Sequence, residues 1–190
     1  MLANSGLALE EMDAIAVAAG PGSFTGLRIG VSAAKGLAWA LQKPCAAVST
    51  LEAMARPLSH LPGVLVCAMD ARRQQVYNAL FTGGPEGLAR LCPDRAVSLE
   101  ALAEELRGDS RPLTVLGDGA RLCYDHLTAA AIPCALAPSH LRWQSAVGVG
   151  LIGEEMVQKG QTVSAQALLP TYLRLSQAER ERLERGLPLQ

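Results

Sequence analysis

The residues with the clearest chemical potential are Gly20-Pro21-Gly22-Ser23-Phe24-Thr25-Gly26. Three glycines in seven positions let a backbone come close to a ligand. A helix opening just behind them would point its first N–H groups at an anion. Gly20, Gly22, Ser23, Thr25 and Gly26 are therefore candidate anion- or ligand-binding residues. Their spacing misses the known phosphate loops. The dinucleotide fingerprint G-x-G-x-x-G is one residue shorter, and a Walker loop needs Lys where Leu27 and Arg28 follow the last glycine. Ser23 directly follows Gly22, so the G-x-S-x-G nucleophile elbow is missed as well. Spacing alone leaves two readings open, a structural tight turn and an anion site.

Other reactive side chains are scattered. His60, His126 and His140 stand apart from any Ser, Cys or carboxylate in a recognisable order. Asp70-Ala71-Arg72-Arg73 follows an apolar run, where an α/β protein can place a carboxylate beside a ligand; a hydrogen-bonded turn with an ion pair is the plainer reading. Cys45, Cys67, Cys92, Cys123 and Cys134 contain no C-x-x-C pair and read as reduced core thiols, as in a cytoplasmic protein. No catalytic residue, metal cluster or cofactor is expected from this inventory.

The elements that would carry these residues alternate. Ala14–Ala19 is a short apolar run without period, as expected of a strand covered on both faces. Ser23 or Thr25 can cap a helix over Gly26–Leu41, Cys45–Val48 is a second strand, and Ser49-Thr50-Leu51-Glu52 has the capping-box spacing. After a boundary at Pro57–Gly63 come strands over Val64–Met69, Gln75–Thr82, Leu113–Leu116 and Cys134–Leu136. Helices are expected from Ser98 to Leu106, over Ala120–Ala130 and over Trp143–Lys159. Pro170 precedes an extended Thr171–Arg174, and Ser176–Arg185 reads as a solvated helix. The outer edge of Ala14–Ala19 would be an unpaired apolar row, which implies a preceding β-rich segment.

Composition narrows the function classes. The chain has 190 residues, 49% apolar and 18% charged, with a formal net charge of −1. That balance disfavours a free-standing nucleic-acid or membrane-surface binder, and no basic stripe with interleaved aromatics is visible along the sequence. No apolar run approaches the ~18 residues of a membrane span, and no secretory signal opens the chain. The excess of apolar residues points instead to surface covered by a partner. On the Gly26–Leu41 helix, Leu27, Val31, Ala34, Leu37, Ala38 and Leu41 form one apolar face, while Arg28, Ser32, Lys35 and Trp39 form a second. Ile29, Ala33, Gly36 and Ala40 make a third that is smooth and nearly free of polar groups. Apolar character on two sides implies burial on two sides, under another helix of this chain or under a partner helix.

Taken together, Gly20-Pro-Gly-Ser-Phe-Thr-Gly-Leu-Arg-Ile-Gly30, Ala34-Lys35-Gly36-Leu37-Ala38, Val48-Ser49-Thr50-Leu51, Asp70-Ala71-Arg72 and Pro170-Thr-Tyr-Leu-Arg174 resemble the bacterial TsaB (YeaZ) family. These are dimerisation subunits of the complex that forms N6-threonylcarbamoyladenosine in tRNA beside the anticodon. The resemblance implies an α/β fold of the actin/Hsp70-like (ASKHA) two-lobe type. A first lobe is expected over residues 1–56, a second over 64–165, and a C-terminal segment, 166–190, packing back on the first. It also implies a non-catalytic scaffold that pairs with the catalytic subunit TsaD and the ATPase subunit TsaE, or with itself when alone, and meets tRNA only through the complex. The implied partner surface is Ile29, Ser32, Ala33, Gly36, Trp39 and Ala40. Family members place a β-hairpin, a third strand and a first helix ahead of this chain's start, and Met1–Ser5 resembles the tail of that helix. Without them the resemblance implies poor nucleotide binding and a weakened partner contact. The alternative class is an actin-like phosphotransferase or nucleotide hydrolase using the Gly20–Gly26 loop.

Overall fold

Serine caps set most of the helix starts. The computed structural model describes residues 2–174 and opens with a short turn of helix, α1 (Leu2–Ser5), and a 3-10 turn at Leu9–Glu11. Strand β1 (Ile15–Gly20) leads through a cis Gly20–Pro21 peptide to α2 (Phe24–Leu41), whose N-cap Ser23 hydroxyl accepts from Gly26 N–H at 3.4 Å. Strand β2 (Cys45–Ser49) runs straight into α3 (Thr50–Ala55), because Ser49 ends the strand and caps the helix, accepting from Glu52 N–H at 3.2 Å. Strands β3 (Gly63–Asp70), β4 (Gln75–Gly83), β5 (Ala89–Arg90) and β6 (Arg95–Ser98) follow. Then come α4 (Leu99–Leu106), capped by Ser98, β7 (Leu113–Leu116), α5 (Ala120–Ala129), β8 (Ala135–Leu136) and α6 (Ala146–Gln158), capped by Ser145. The solvated helix expected over Ser176–Arg185 lies outside the described residues.

Two sheets result. β1 and β2 pair in parallel, Ile15 opposite Cys45 through Ala18 opposite Val48. The larger sheet has the order β5-β4-β3-β7-β8, with β6 pairing beside β5 along the same edge of β4. β3 is antiparallel to β4 and parallel to β7. Alternation along β3 divides its core: Val64, Val66 and Ala68 pack with α4 and α5, while Leu65, Cys67 and Met69 pack with Leu51, Met54 and Leu58 around α3. Buried on both faces, β3 reads in the sequence as an unbroken apolar run.

Three sequence expectations are corrected. α2 begins at Phe24, two residues early, because Ser23 takes the cap. β5 and β6 were not expected; four residues or fewer give no readable alternation, and their register is supplied by β4, Asn78 opposite Arg95 and Phe81 opposite Arg90. α6, grouped by sequence with the second lobe, packs instead on β1, β2 and α3. Its glycines account for this. A Cβ on Gly148 would overlap the Ala53 carbonyl oxygen, and one on Gly153 would sit 2.5 Å from the Ala16 Cβ. The two-stranded sheet is thus held between α2 and α6.

Candidate functional site

α2 buries a narrow stripe. Leu27, Val31, Ala34 and Ala38 are buried, the last three packing with Cys45, Ala165 and Leu168. At ~100° per residue these side chains span only about a sixth of the helix circumference. Leu37, assigned to that stripe by its spacing, is 44% exposed, and Leu41 is half-buried. The physical reason is local: the wall opposite is the two-stranded β1–β2 sheet with residues 165–168, too narrow to cover a full apolar face.

The rest of the helix is open. Ile29 is 67% and Trp39 66% exposed, and Ser32, Ala33, Gly36 and Ala40 are exposed with them. Among the described residues nothing covers this face. A Cβ added at Gly30 or at Gly36 would meet nothing within 4 Å. Interior glycines weaken a helix by about 0.5–1 kcal/mol relative to alanine, so packing within the chain gives no reason for either. The contrast with Gly148 and Gly153, both required by close internal contacts, is direct. Beside this face, Trp39 of α2, Gln42 and Lys43 just after the helix, and Thr162, Ser164 and Gln166 line a groove of about 630 Å³.

The glycine-rich loop has a different environment. Gly20 holds φ at +135°, and a Cβ there would overlap the Thr171 carbonyl oxygen, while Thr171 N–H donates to Ala19 O at 2.7 Å. Phe24 stacks on Tyr172 with ring centroids 4.8 Å apart, and the Arg28 guanidinium lies 4.7 Å from the Phe24 centroid. Arg174 donates to the Ala71 carbonyl. Three stretches far apart in sequence, 20–28, 70–73 and 170–174, therefore meet at one junction between the two sheets. Gly20 and Phe24 serve that packing, and Ser23 serves its cap. Thr25, Gly22 and Gly26 border the same turn; Gly22 and Gly26 are in ordinary contact with Leu27 and Ser23. Sequence reading singled out all three stretches, but residue spacing had no means of bringing them together.

The segment after α6 is fastened to α2 as well. Lys35 Nζ donates to Gln166 O at 2.9 Å and to Leu168 O at 3.2 Å, so this half-buried lysine is tied to backbone carbonyls. A second polar network joins the β2–α3 corner to the larger sheet. Ser49 Oγ donates to Asp94 Oδ2 at 2.6 Å, and Arg90 pairs with Asp94 at 2.6 Å and Glu52 at 2.5 Å while lying over the Phe81 ring. These carboxylates hold the Arg90 guanidinium above its ordinary value despite partial burial. The thiols sit in apolar surroundings: burial pushes Cys123 up to about 12 and Cys67 well above the usual range. Such thiols stay protonated and are poor nucleophiles. Among the described residues no group of three or more His, Cys, Asp or Glu is placed to hold a metal, and no helix is long and apolar enough to cross a membrane.

Comparison with known proteins gives one answer. The family model of TsaD, tRNA N6-adenosine threonylcarbamoyltransferase, matches residues 1–181. The tRNA threonylcarbamoyladenosine biosynthesis protein TsaB of Bacillus subtilis (strain 168) is 35% identical over 188 residues, which cover 97% of this chain and 79% of that protein. The TsaB protein of Escherichia coli (strain K12) is 31% identical over 92% of this chain and 76% of its own length. Among solved structures, YeaZ from Pseudomonas aeruginosa superposes with a TM-score of 0.75 at 29% identity, covering 90% of this chain and 78% of that one. The two-sheet α/β architecture is accordingly of the actin/Hsp70-like type. With its motifs, its fold and its full-length relatives in agreement, the chain belongs to the threonylcarbamoyltransferase-type family and, within it, to the TsaB (YeaZ) proteins of tRNA threonylcarbamoyladenosine biosynthesis.

Proposed function

We propose that this chain is a non-catalytic scaffold subunit in the formation of N6-threonylcarbamoyladenosine in tRNA, docking through the open face of α2 onto the catalytic subunit TsaD, with the ATPase subunit TsaE joining the pair. The single observation that carries the docking role is the uncovered face itself. Ile29, Ser32, Ala33, Gly36, Trp39 and Ala40 form a continuous exposed surface, and Gly36 within it, like Gly30 at its margin, answers to nothing inside the chain. Small side chains let two helix backbones come close, and a large apolar anchor such as Trp39 at the margin is the type of residue that dominates interface energetics. In the absence of the partner, the same face serves a symmetric pair of copies.

Ala33→Arg is the direct test. A guanidinium in the middle of a close helix contact loses water without gaining a counter-charge, so co-elution with TsaD on size exclusion should be lost. On the free chain Ala33 is exposed, so the circular dichroism spectrum and urea midpoint should stay as in the parent. A variant that still co-elutes with unchanged affinity removes α2 from the interface.

A further inference from the structure

The junction of residues 20–28, 70–73 and 170–174 assembles something that the linear sequence does not show, a basic surface with exposed aromatic rings. Arg28 lies on the Phe24 ring, Phe24 stacks on Tyr172, and Arg174 reaches Ala71, the neighbour of Arg72. Phe24 is 37% and Tyr172 39% exposed. Arg72 and Arg73 sit at the tip of the β3–β4 hairpin, exposed, with φ of 63° and 55°. Among the described residues, these stretches and the adjoining turn before α5 carry two carboxylates. Asp70 is occupied by the N–H of Arg72 at 2.7 Å and by that residue's guanidinium at 3.3 Å. Asp118 is exposed one residue before Gly119, whose N–H donates to Ala68 O at 3.0 Å. Arg174 is met by a neutral carbonyl. Among these described residues four guanidinium groups stand against two carboxylates, an excess of positive charge on a chain whose formal net charge is −1.

We infer that this junction binds single-stranded RNA, with Arg28, Arg72 and Arg73 on backbone phosphates and a base stacked on the exposed part of Tyr172. Arginines that neutralise phosphates, placed beside an aromatic surface, are the two components of single-strand recognition. Unpaired nucleotides alone offer both a phosphate chain and a free base face. The choice of RNA rests on the reading of the chain as a tRNA-modification subunit. Arg28 stands on α2 one residue before Ile29, so the surface adjoins the proposed docking face at the N-terminal end of that helix, where RNA held by the pair would lie along the seam.

The test is a titration of a fluorescein-labelled, unmodified tRNA transcript by the chain alone, followed by anisotropy from 20 to 200 mM salt. Arg72→Gln/Arg73→Gln is the charge variant; Gln74 already holds φ of 55° in the same hairpin, so glutamine fits that backbone. Removing two phosphate contacts should lower the slope of log K against log salt by about 1.4, and the affinity near 0.1 M salt by roughly 25-fold. Tyr172→Leu keeps an apolar group on Phe24 but no ring. It should weaken binding by roughly 5- to 100-fold while leaving the slope unchanged. Arg111→Gln, beside Pro112 at the end of β3 opposite Asp70, should change neither. An unchanged slope in the double variant, an unchanged affinity in Tyr172→Leu, or an equal loss in Arg111→Gln overturns the assignment. So does full displacement of the tRNA by ATP at matched ionic strength, which would make the ligand a free nucleotide. Docking to the catalytic subunit is read separately by size exclusion, so a failed scaffold reading and a failed RNA surface give different results.

Discussion

Replacing Gly30 and Gly36 by alanine should strengthen the chain and weaken its docking. Neither new Cβ meets an atom within 4 Å in the free chain. Alanine therefore adds no clash and removes the conformational freedom that glycine carries in the unfolded chain, worth about 0.5–1 kcal/mol at each position. For the double variant that is about 1–2 kcal/mol. A chain of this length gains about 2–4 °C in Tm for each kcal/mol, giving a rise of about 2–8 °C by calorimetry. Docking should respond in the opposite sense. The Gly36 methyl, pushed into a close helix contact, costs about 1–3 kcal/mol by overpacking, and each 1.4 kcal/mol is about tenfold in Kd. Calorimetric titration against the catalytic subunit should thus show a loss of about 5-fold or more. A double variant that melts lower than the parent would mean the face is covered after all. One that melts higher and docks with undiminished affinity would separate the glycines from docking altogether.

Gly148→Ala makes the opposite case, since its Cβ would overlap the Ala53 carbonyl oxygen. Urea unfolding should show a loss of about 1–3 kcal/mol, because α6 must shift from α3 to make room. Asp109 should titrate near 2 by NMR. Its carboxylate accepts two bonds from the Arg111 guanidinium and one from that residue's backbone N–H, which hold it below the usual 3.8. The stabilisation from this pair is complete above the ordinary carboxylate value and is lost as pH falls towards 2. In Arg111→Gln the Asp109 value should rise, and a carboxylate that stays near 2 would refute that cause. Leu168→Ala should cost about 2–5 kcal/mol, since Leu168 is 1% exposed between Val31, Ala34 and Ala38. Its amide-exchange signature should include faster exchange through residues 20–28 as well as around the mutation. Exchange confined to residues near 168 would show that the segment does not brace the glycine-rich loop.

Local physics decided which parts of the fold were legible. The helices after Ser49 and Ser98 are marked by hydroxyl caps, each fixed within three residues of the helix start. β3 is legible because both of its faces are buried. β6 is not, because its four residues owe their conformation to the partner strand β4 across the hairpin. α6 shows where it stops, but its start is read three residues early, at Trp143 where the helix begins at Ala146, and its pattern does not say which sheet it covers. Gly148 and Gly153 encode that choice, and a glycine in a sequence does not say what lies against it. The same silence applies to the site. The spacing of Ile29, Ala33, Gly36 and Ala40 exposes a smooth face on paper, whereas Leu37 joins that face only because the sheet beneath is two strands wide. Phe24 and Tyr172, 148 positions apart, stack only once Thr171 has settled against Gly20.

The segment from Val163 to Arg174 links the two proposed surfaces. Val163 exchanges both backbone bonds with Cys45, Leu168 fills the space under α2, and two carbonyls of the segment hold Lys35. Beyond that point Thr171 caps the end of β1, Tyr172 covers Phe24 and Arg174 ties the segment to Ala71 at the end of β3. One strap therefore fixes the angle of α2, on which docking depends, and builds the aromatic and basic junction at its N-terminal end. A helix whose inner stripe is only four small or medium residues wide has little apolar area of its own to set its tilt. The bonds from the strap supply what that stripe lacks. Any partner that changes the tilt of α2 must act on Lys35, Leu168 and Phe24 together, and so reaches the junction through packed atoms.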